Sequence, residues 1–196
     1  MHAAGYLTTR EIYADGKHGL AIPNESIRRI FVEQVGEWFS SRVAAKETAV
    51  SNLRLAFCTG DGASAQAAAN ELLIDFVSAR DYSTKHASKE SFYHGLLLGA
   101  LVGMQGWHVM PNAESGFGFW DISARNETGK EEAFIIEIKY SESRNGLVSA
   151  GETAIGQIHA KQYWRRLKKE GASKILLYGA AFHKKECCIL SEELMV

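Results

Sequence analysis

The chain has 196 residues, of which 46% are hydrophobic and 10% aromatic, and its formal net charge is −1. These values are typical of a globular protein with one domain, or with one domain and a sizeable extension. No stretch is long and apolar enough to span a membrane. The near-neutral charge argues against a protein that is basic throughout and binds nucleic acid without specificity, although it is compatible with a local basic patch.

Cysteine usage and the first residues bear on the cellular compartment. Cys58, Cys187 and Cys188 show neither CxxC spacing nor the density of a disulfide-rich protein. The opening MHAAGYLTTRE lacks the basic and then apolar pattern of a signal peptide. We therefore expect a reduced, cytoplasmic protein.

The first 45 residues predict a hairpin followed by a helix. Gly5–Asp15 alternates as a strand does, and His18–Ile22 can return as its partner. Asn24 is placed to cap a helix whose apolar residues run at helical spacing from Ile27 to Phe39. No catalytic pattern is visible in this stretch.

The next segment completes an N-terminal extension. Val50–Cys58 fits either a helix or a strand, and Ser64–Ala79 predicts an alanine-rich helix. We expect residues 1–86 to form an extension of β-hairpin and helices, and residues 87–196 to form a separate domain.

A third helix is predicted from Ser88, with Gly106 as the residue that ends it. Glu90 and His94 lie one turn apart on it and share a face. Each has an ordinary explanation, because Glu90 complements the helix dipole and His94 suits a hydrogen bond at the helix edge. Trp107–Met110 follows as a short strand.

The stretch Gly116–Lys139 carries the pattern with the clearest chemical meaning. Two apolar runs separated by a polar stretch predict a hairpin, and Asp121, Glu137 and Lys139 interrupt those runs. Glu137 and Lys139 are two residues apart, so they project from the same face of a strand. Carboxylates grouped on an apolar sheet are costly unless a cation binds them, so the pattern predicts a divalent metal site. The two runs are Phe117–Ala124 and Ala133–Lys139.

A second interpretation needs no ligand. Asp121 would end a strand and bond to the backbone, while Glu137 and Lys139 would form an exposed polar row on an edge strand. The apolar residues around Glu137, in FIIEI, are typical of a buried central strand, and this favours the metal site.

The last third predicts one helix and two strands. The helix, Glu152–Lys169, is amphipathic, and its basic C-terminal half is either a solvated face or a surface for a polyanion. Gln157 and Lys161 lie near its N-terminal half. Lys174–Phe182 predicts a buried strand with which Glu186–Leu190 can pair.

From Ser88 onward, the order of elements and the acidic positions resemble the core of the PD-(D/E)XK nuclease superfamily, with Asp121, Glu137 and Lys139 at its D…(E)xK motif. Five segments are similar to the bacterial family in which such a domain follows a predicted AAA-ATPase-like domain, and GYLT and IPN resemble the segment that joins the two. The resemblance implies an α/β (α+β) fold of the restriction-endonuclease type, αβββαβ, with a mixed central sheet flanked by helices. The five segments are FYHGLLLGAL, NAESGFGFWDI, AFIIEIK, AIGQIHAKQY and ILLYGAAFHKK.

The resemblance also implies an enzyme, a metal-dependent nuclease that hydrolyses phosphodiester bonds. Asp121, Glu137 and the carbonyl of Ile138 would hold Mg²⁺ or Mn²⁺, and Glu90 would reach a second ion or its water shell. Lys139 would orient or deprotonate the attacking water and offset charge on the phosphate.

Binding residues and partners follow from the same resemblance. Gln157 would steady the substrate or Lys139, and Lys161, Arg165 and His94 would contact nucleic acid, with DNA favoured over RNA. An ATPase domain or a second copy of the chain is a further candidate partner.

The chain departs from the family pattern in two ways. Trp120 stands where the superfamily's name has proline, at a position that varies among its members. No P-loop is present, so the ATPase-like domain is missing, and the chain is expected to be a free-standing tail or a fragment. Two other functions stay open: an inactive nuclease-fold module that binds nucleic acid, and a protein-interaction module docking through residues 5–45.

Overall fold

The computed structural model describes residues 8–12, 18–21, 47–76, 86–128 and 131–196. The chain divides into two compact units, Met1–Ala45 and Lys46–Val196. In the first unit, β1 (Thr8–Ile12) and β2 (His18–Ala21) pair antiparallel, which confirms the predicted hairpin. The predicted helix after Asn24 lies outside the described residues.

The second unit is built on a five-stranded mixed sheet in the order β3-β6-β7-β8-β9. The pair β7–β8 is parallel, and the other neighbouring pairs are antiparallel. A small hairpin, β4–β5, extends from the connection between β3 and β6. The strands are β3 (Trp107–Pro111), β4 (Glu114–Ser115), β5 (Gly118–Phe119), β6 (Ile122–Asn126), β7 (Glu132–Tyr140), β8 (Lys174–His183) and β9 (Glu186–Met195).

Helices flank this sheet, and the connection between the parallel strands β7 and β8 is the long helical crossover that such a pair requires. The order α3 (His86–Leu101), β3, β6, β7, α4 (Leu147–Lys161) and β8 matches the predicted αβββαβ order, so the predicted α+β fold class is confirmed. The helices are α1 (Glu47–Thr59), α2 (Gly62–Phe76), α3 (His86–Leu101), α4 (Leu147–Lys161) and α5 (Trp164–Lys169). None of the described helices has the length and apolarity needed to cross a membrane.

Alternate residues of β7 pack on opposite layers, as the two-residue period of a strand dictates. Phe134 stacks on Phe57 of α1, with ring centroids 5.8 Å apart, and meets Tyr178 edge-on. Ile135 points the other way, into a buried cluster that includes Ile158 of α4 and Leu167 of α5. The sheet is therefore covered on both faces, which explains why β7 reads as an almost continuous apolar run.

Helix α4 and β8 are in close backbone contact at two glycines, Gly151 and Gly179. A Cβ built on Gly179 would lie 2.2 Å from the carbonyl oxygen of Gly151. No side chain fits between these two backbones, so the helix lies directly on the strand.

Helix α2 covers part of the outer edge of β9. Asn70 Oδ1 accepts a hydrogen bond of 2.8 Å from the backbone N–H of Cys187, and Gln66 Oε1 accepts one of 3.1 Å from that of Ile189. These N–H groups lie on an edge strand, where they would otherwise be open to pairing with another chain.

Several predicted boundaries differ from the observed ones. Val50–Cys58 is helical, as part of α1. The prediction of one helix over Glu152–Lys169 was wrong, because α4 begins at Leu147 and the chain breaks at Gln162, whose φ of 53° is left-handed. The prediction of one strand over Phe117–Ala124 was also wrong, because the β4–β5 hairpin ends at Phe119 and β6 begins at Ile122.

Other differences are smaller. Helix α3 starts two residues before Ser88 and ends at Leu101, ahead of Gly106, and β9 continues beyond Leu190 to Met195. The division at residues 86 and 87 stays a prediction, although α1 and α2 belong to the same compact unit as the sheet.

Candidate active site

The predicted acidic residues meet where β6 begins beside the end of β7. Asp121 immediately precedes β6, and the pairing of Ile122 with Ile136 brings it across from Glu137. Asp121 Oδ2 accepts a hydrogen bond of 2.7 Å from the backbone N–H of Ile138. The bond fixes the Asp121 carboxylate against β7.

Glu137 is buried, with 2% of its surface exposed, although a glutamate with its ordinary pKa is charged at neutral pH. Its Oε1 accepts a 2.8 Å hydrogen bond from Lys139 Nζ and a second from Gln157 Nε2 of α4. Among the described residues, no donor reaches the buried Oε2. The carboxylate is thus held firmly on one oxygen and left without a partner on the other.

Helix α3 supplies two more of the predicted residues. Glu90 Oε1 accepts a hydrogen bond of 3.2 Å from the backbone N–H of Tyr140. His94 Nε2 lies 3.0 Å from the carbonyl oxygen of Asp121, so the ring donates from that nitrogen. Both residues line a cleft of about 190 Å³. The cleft is lined by Glu90, Ser91, His94, Asn112, Asp121 and Ile138.

The electrostatics of the cluster follow from burial and like charge. Burial, reinforced by the nearby Asp121, raises the pKa of Glu137 to about 7. Burial also raises the pKa of Asp121, against the opposing effects of the Ile138 N–H and Lys139. Burial alone would lower the pKa of Lys139, but the bond to Glu137 and the surrounding carboxylates raise it instead. Lys139 is therefore an ammonium at neutral pH.

The fit of a metal ion rests on these oxygens. No group of three or more His, Cys, Asp or Glu side chains in the described parts of the chain is spaced to enclose an ion. The partnerless Oε2 of Glu137 nevertheless lies in a cluster of carboxylates whose mutual repulsion a cation would relieve. Carboxylate and carbonyl oxygens are the donors that Mg²⁺ and Mn²⁺ take, so the residues present fit such an ion.

The other predicted residues lie at the junction of α4 and α5. Lys161 is the last residue of α4 and is exposed. Arg165 is exposed on α5, with its guanidinium 5.8 Å from the centre of the Phe117 ring. Neither residue contacts the carboxylates directly in any recorded hydrogen bond or ion pair of the described chain.

Sequence reasoning missed Tyr163 and Asn112. Gln157 Nε2 donates a 3.1 Å hydrogen bond to Tyr163 Oη, and burial raises the pKa of that phenol. Asn112 lines the cleft beside Asp121. In sequence, Tyr163 is one more apolar residue of the amphipathic helix predicted over Glu152–Lys169, and nothing marks it as a site residue.

Comparison with known proteins agrees with this geometry. A model of the PD-(D/E)XK nuclease superfamily matches residues 88–192, more than half of the chain. A search of curated proteins finds no match. The matched range runs from α3 to β9 and includes Glu90, Asp121, Glu137, Lys139 and Gln157. The chain belongs to the PD-(D/E)XK nuclease superfamily.

Proposed function

We propose that the protein is a metal-dependent nuclease that hydrolyses phosphodiester bonds at the cluster of Asp121, Glu137 and Lys139. The observation that carries the proposal is the buried Glu137 carboxylate, with Oε1 held by Lys139 and Gln157 and Oε2 without a donor among the described residues. A purely structural role would leave this buried oxygen unsatisfied at a cost of about 1–3 kcal/mol. A bound cation gives it a partner.

Asp121, Glu137 and the carbonyl of Ile138 would hold Mg²⁺ or Mn²⁺, and Glu90 would reach a second ion or its hydration shell. When bound, such an ion polarises the phosphoryl oxygens and lowers the pKa of a coordinated water. The hydrogen bond between Asp121 and the Ile138 N–H supports this assignment, because it orients one carboxylate oxygen and leaves the other available.

Lys139 would act on the attacking water and on the charge of the phosphate. Its raised pKa favours the protonated form, which orients the water and offsets negative charge, over the free amine that would remove a proton. Gln157 would keep the Glu137 carboxylate in place through its amide, since the same nitrogen is anchored on Tyr163.

Lys161, Arg165 and His94 would contact the substrate backbone, with DNA as the favoured nucleic acid. Lys161 and Arg165 are exposed cations near the end of α4, and His94 lines the cleft beside Asp121. The similarity to domains that follow an AAA-ATPase-like domain supports an ATPase as a protein partner, and self-association is a further candidate.

Metal-dependent cleavage tests the proposal. Single- and double-stranded DNA and RNA are incubated with Mg²⁺, Mn²⁺ or EDTA, and cleavage is compared for wild type and Lys139→Ala. We expect cleavage only with metal, and a loss of at least about 100-fold in kcat for Lys139→Ala, the usual contribution of a residue that handles the reacting proton. Added Mn²⁺ should still raise the Tm of the variant, because the oxygen ligands remain.

Lys174→Ala is the matched control. Lys174 lies at the opposite end of the sheet and is also paired with a glutamate, Glu193, at 3.1 Å. Loss of the Lys174 side chain should leave kcat unchanged. A wild-type protein that cleaves none of the substrates, and whose Tm is indifferent to Mn²⁺, would refute the proposal and favour a binding or docking module.

A further inference from the structure

The β4–β5 hairpin exposes two aromatic rings beside the candidate active site. Phe117 is 67% exposed and Phe119 is 62% exposed. The hairpin is the tip of the connection between β3 and β6, and it ends two residues before Asp121. The Cα atoms of Phe119 and Asp121 are therefore within about 7 Å of each other, the reach of two extended residues.

The hairpin is held firmly, so the exposure of its rings does not come from a loose loop. The backbone N–H of Phe117 donates a 2.8 Å hydrogen bond to the carbonyl of Lys161, and Ser115 Oγ donates one of 2.6 Å to that of Tyr163. Gly116 has a φ of 60°, and a Cβ there would lie 2.1 Å from the Lys161 carbonyl oxygen. Only glycine permits this turn to sit on the end of α4.

Positive charge lies beside the Phe117 ring and the turn of the hairpin. The Arg165 guanidinium lies 5.8 Å from the centre of the Phe117 ring. The stem of Lys161 passes close to Gly118, since a Cβ on that glycine would lie 3.7 Å from Lys161 Cδ. Exposed aromatic rings interleaved with cations are the combination that binds unpaired nucleic acid, because bases stack on the rings and phosphates meet the charges.

The patch is continuous with the candidate active site. Gln157, which contacts Glu137, is four residues before Lys161, so the two side chains are neighbours on the same face of α4. A nucleic-acid strand that leaves the cluster of carboxylates along this face would reach Lys161 and then the rings of the hairpin.

We propose that Phe117, Phe119, Lys161 and Arg165 form a stacking platform that holds an unpaired stretch of nucleic acid next to the site of cleavage. The inference rests on the proposed nuclease function and narrows its substrate class to single strands and unpaired ends. In a duplex the base faces are stacked on one another, so a duplex would offer the platform only phosphates.

Binding without cleavage tests the platform. Fluorescence anisotropy in EDTA measures the Kd for labelled oligothymidine of roughly 16 nucleotides, an oligouridine of equal length and a matched duplex. Three proteins are compared with wild type: Phe117→Ala/Phe119→Ala, Phe117→Leu/Phe119→Leu, and Leu55→Ala/Ile74→Ala, which removes exposed apolar residues elsewhere. Because all the replaced side chains are exposed, each variant should keep the wild-type Tm.

We expect wild type to bind a single strand more tightly than the duplex. Each ring lost to alanine should weaken single-strand binding about fivefold or more, as loss of a stacked base does. The leucine variant should fail like the alanine variant, because leucine keeps apolar bulk but has no face for stacking. The control should bind normally. Ring-dependent binding of either oligothymidine or oligouridine supports the platform. The comparison of the two Kd values shows whether the platform prefers DNA or RNA.

Unchanged single-strand affinity in the alanine variant overturns the inference, as does full binding by the leucine variant or wild-type preference for the duplex. Cleavage of the same oligonucleotides by wild type with Mn²⁺ is measured in parallel. Cleavage without ring-dependent binding leaves the nuclease and removes the platform. Ring-dependent binding, with no cleavage of any substrate and no effect of Mn²⁺ on the Tm, leaves the platform and removes the nuclease.

Discussion

Glu137 illustrates how one residue can oppose folding and serve the site. Burial and the neighbouring Asp121 raise its pKa to about 7, so in the metal-free protein the charged form is disfavoured near neutral pH. Lys139 and Gln157 hold one oxygen of the carboxylate in place all the same. The side chain is therefore already positioned in the metal-free protein, as its proposed role of metal ligand requires.

This raised pKa predicts a pH-dependent stability. At pH values between 4.5, the ordinary pKa of the group, and about 7, its pKa in the folded protein, folded Glu137 binds a proton that the unfolded chain has released. The contribution of this group to the free energy of unfolding therefore falls as pH rises through that window, and it levels off above it. Glu137→Gln has no proton to lose, so its stability relative to wild type should increase across the window.

Urea unfolding in EDTA at a series of pH values measures this difference. Glu71→Gln, at an exposed position on α2, is the control for the loss of a carboxylate as such. A constant difference for Glu137→Gln would show that the folded protein does not disfavour the charged carboxylate.

At the scale of single residues, the sequence predicts the charged set but not its neighbours. Asp121, Glu137 and Lys139 are conspicuous because they interrupt apolar runs, and the two-residue period of a strand places the last two together. Tyr163 carries no such mark, since an aromatic residue at near-helical spacing is indistinguishable from core. Its contact with Gln157 depends on the break at Gln162, which is a feature of the backbone.

Among the elements, α4 and α5 are separated by a break in the helical backbone at Gln162. Gln162 adopts a φ of 53°, and its buried Oε1 has no hydrogen-bond partner among the described residues. A left-handed conformation costs a non-glycine residue about 1–2 kcal/mol. Replacement by glycine should remove both the backbone strain and the buried oxygen that lacks a partner.

Gln162→Gly is therefore expected to stabilise the protein by about 1 kcal/mol, whereas β-branched Gln162→Val should destabilise it. Equilibrium denaturation measures both. A glycine variant that is less stable than wild type would indicate that Gln162 contributes packing that outweighs its strain.

The edge of β9 carries a second expectation at this scale. Asn70→Ala leaves the Cys187 N–H without its acceptor and should cost about 1–3 kcal/mol. Asn70→Asp keeps an oxygen in place and should cost less. Chemical denaturation, combined with light scattering to detect association through the exposed edge, distinguishes these outcomes, and equal losses in the two variants would contradict the role assigned to the acceptor.

Elements with strong periodicity were predictable, and those determined by close backbone contacts were not. The order αβββαβ follows from alternating runs of period two and 3.6. The β4–β5 hairpin was hidden in an apolar run, because Phe117 and Phe119 look like core residues in sequence yet are exposed. Gly116 and Gly118 hint at the turn, but the partner that demands it, the end of α4, is more than 40 residues away.

For the whole molecule, contacts of α1 argue for a folding unit larger than the matched family domain. Leu53 and Phe57 are fully buried, and Tyr178 Oη donates hydrogen bonds of 3.2 and 3.0 Å to the carbonyls of Ala56 and Phe57. Arg54 of the same helix donates to the carbonyls of Ala100 and Val102 at the end of α3.

We expect a fragment of residues 46–196 to unfold cooperatively and a fragment of residues 87–196 to lack a cooperative transition. Without α1 the rings of Phe134 and Tyr178 lose their cover, and large buried side chains contribute about 3–5 kcal/mol each, against a total of about 5–15 kcal/mol for a domain. Calorimetry of both fragments measures this. A cooperative transition in the shorter one would favour the boundary at 86 and 87 that the sequence suggests.

The contact between Gly151 and Gly179 affects the geometry of the candidate active site from a distance. A side chain at Gly179 would lift α4 from the sheet, since a Cβ there already overlaps the Gly151 carbonyl oxygen. Gln157 is on the same helix, nearly two turns further on, so its amide would move away from the sheet with the helix. It would then be too far from Glu137 for a hydrogen bond. The reach of Gln157 in the candidate active site thus depends on the absence of a side chain at Gly179, a position outside the D…(E)xK motif.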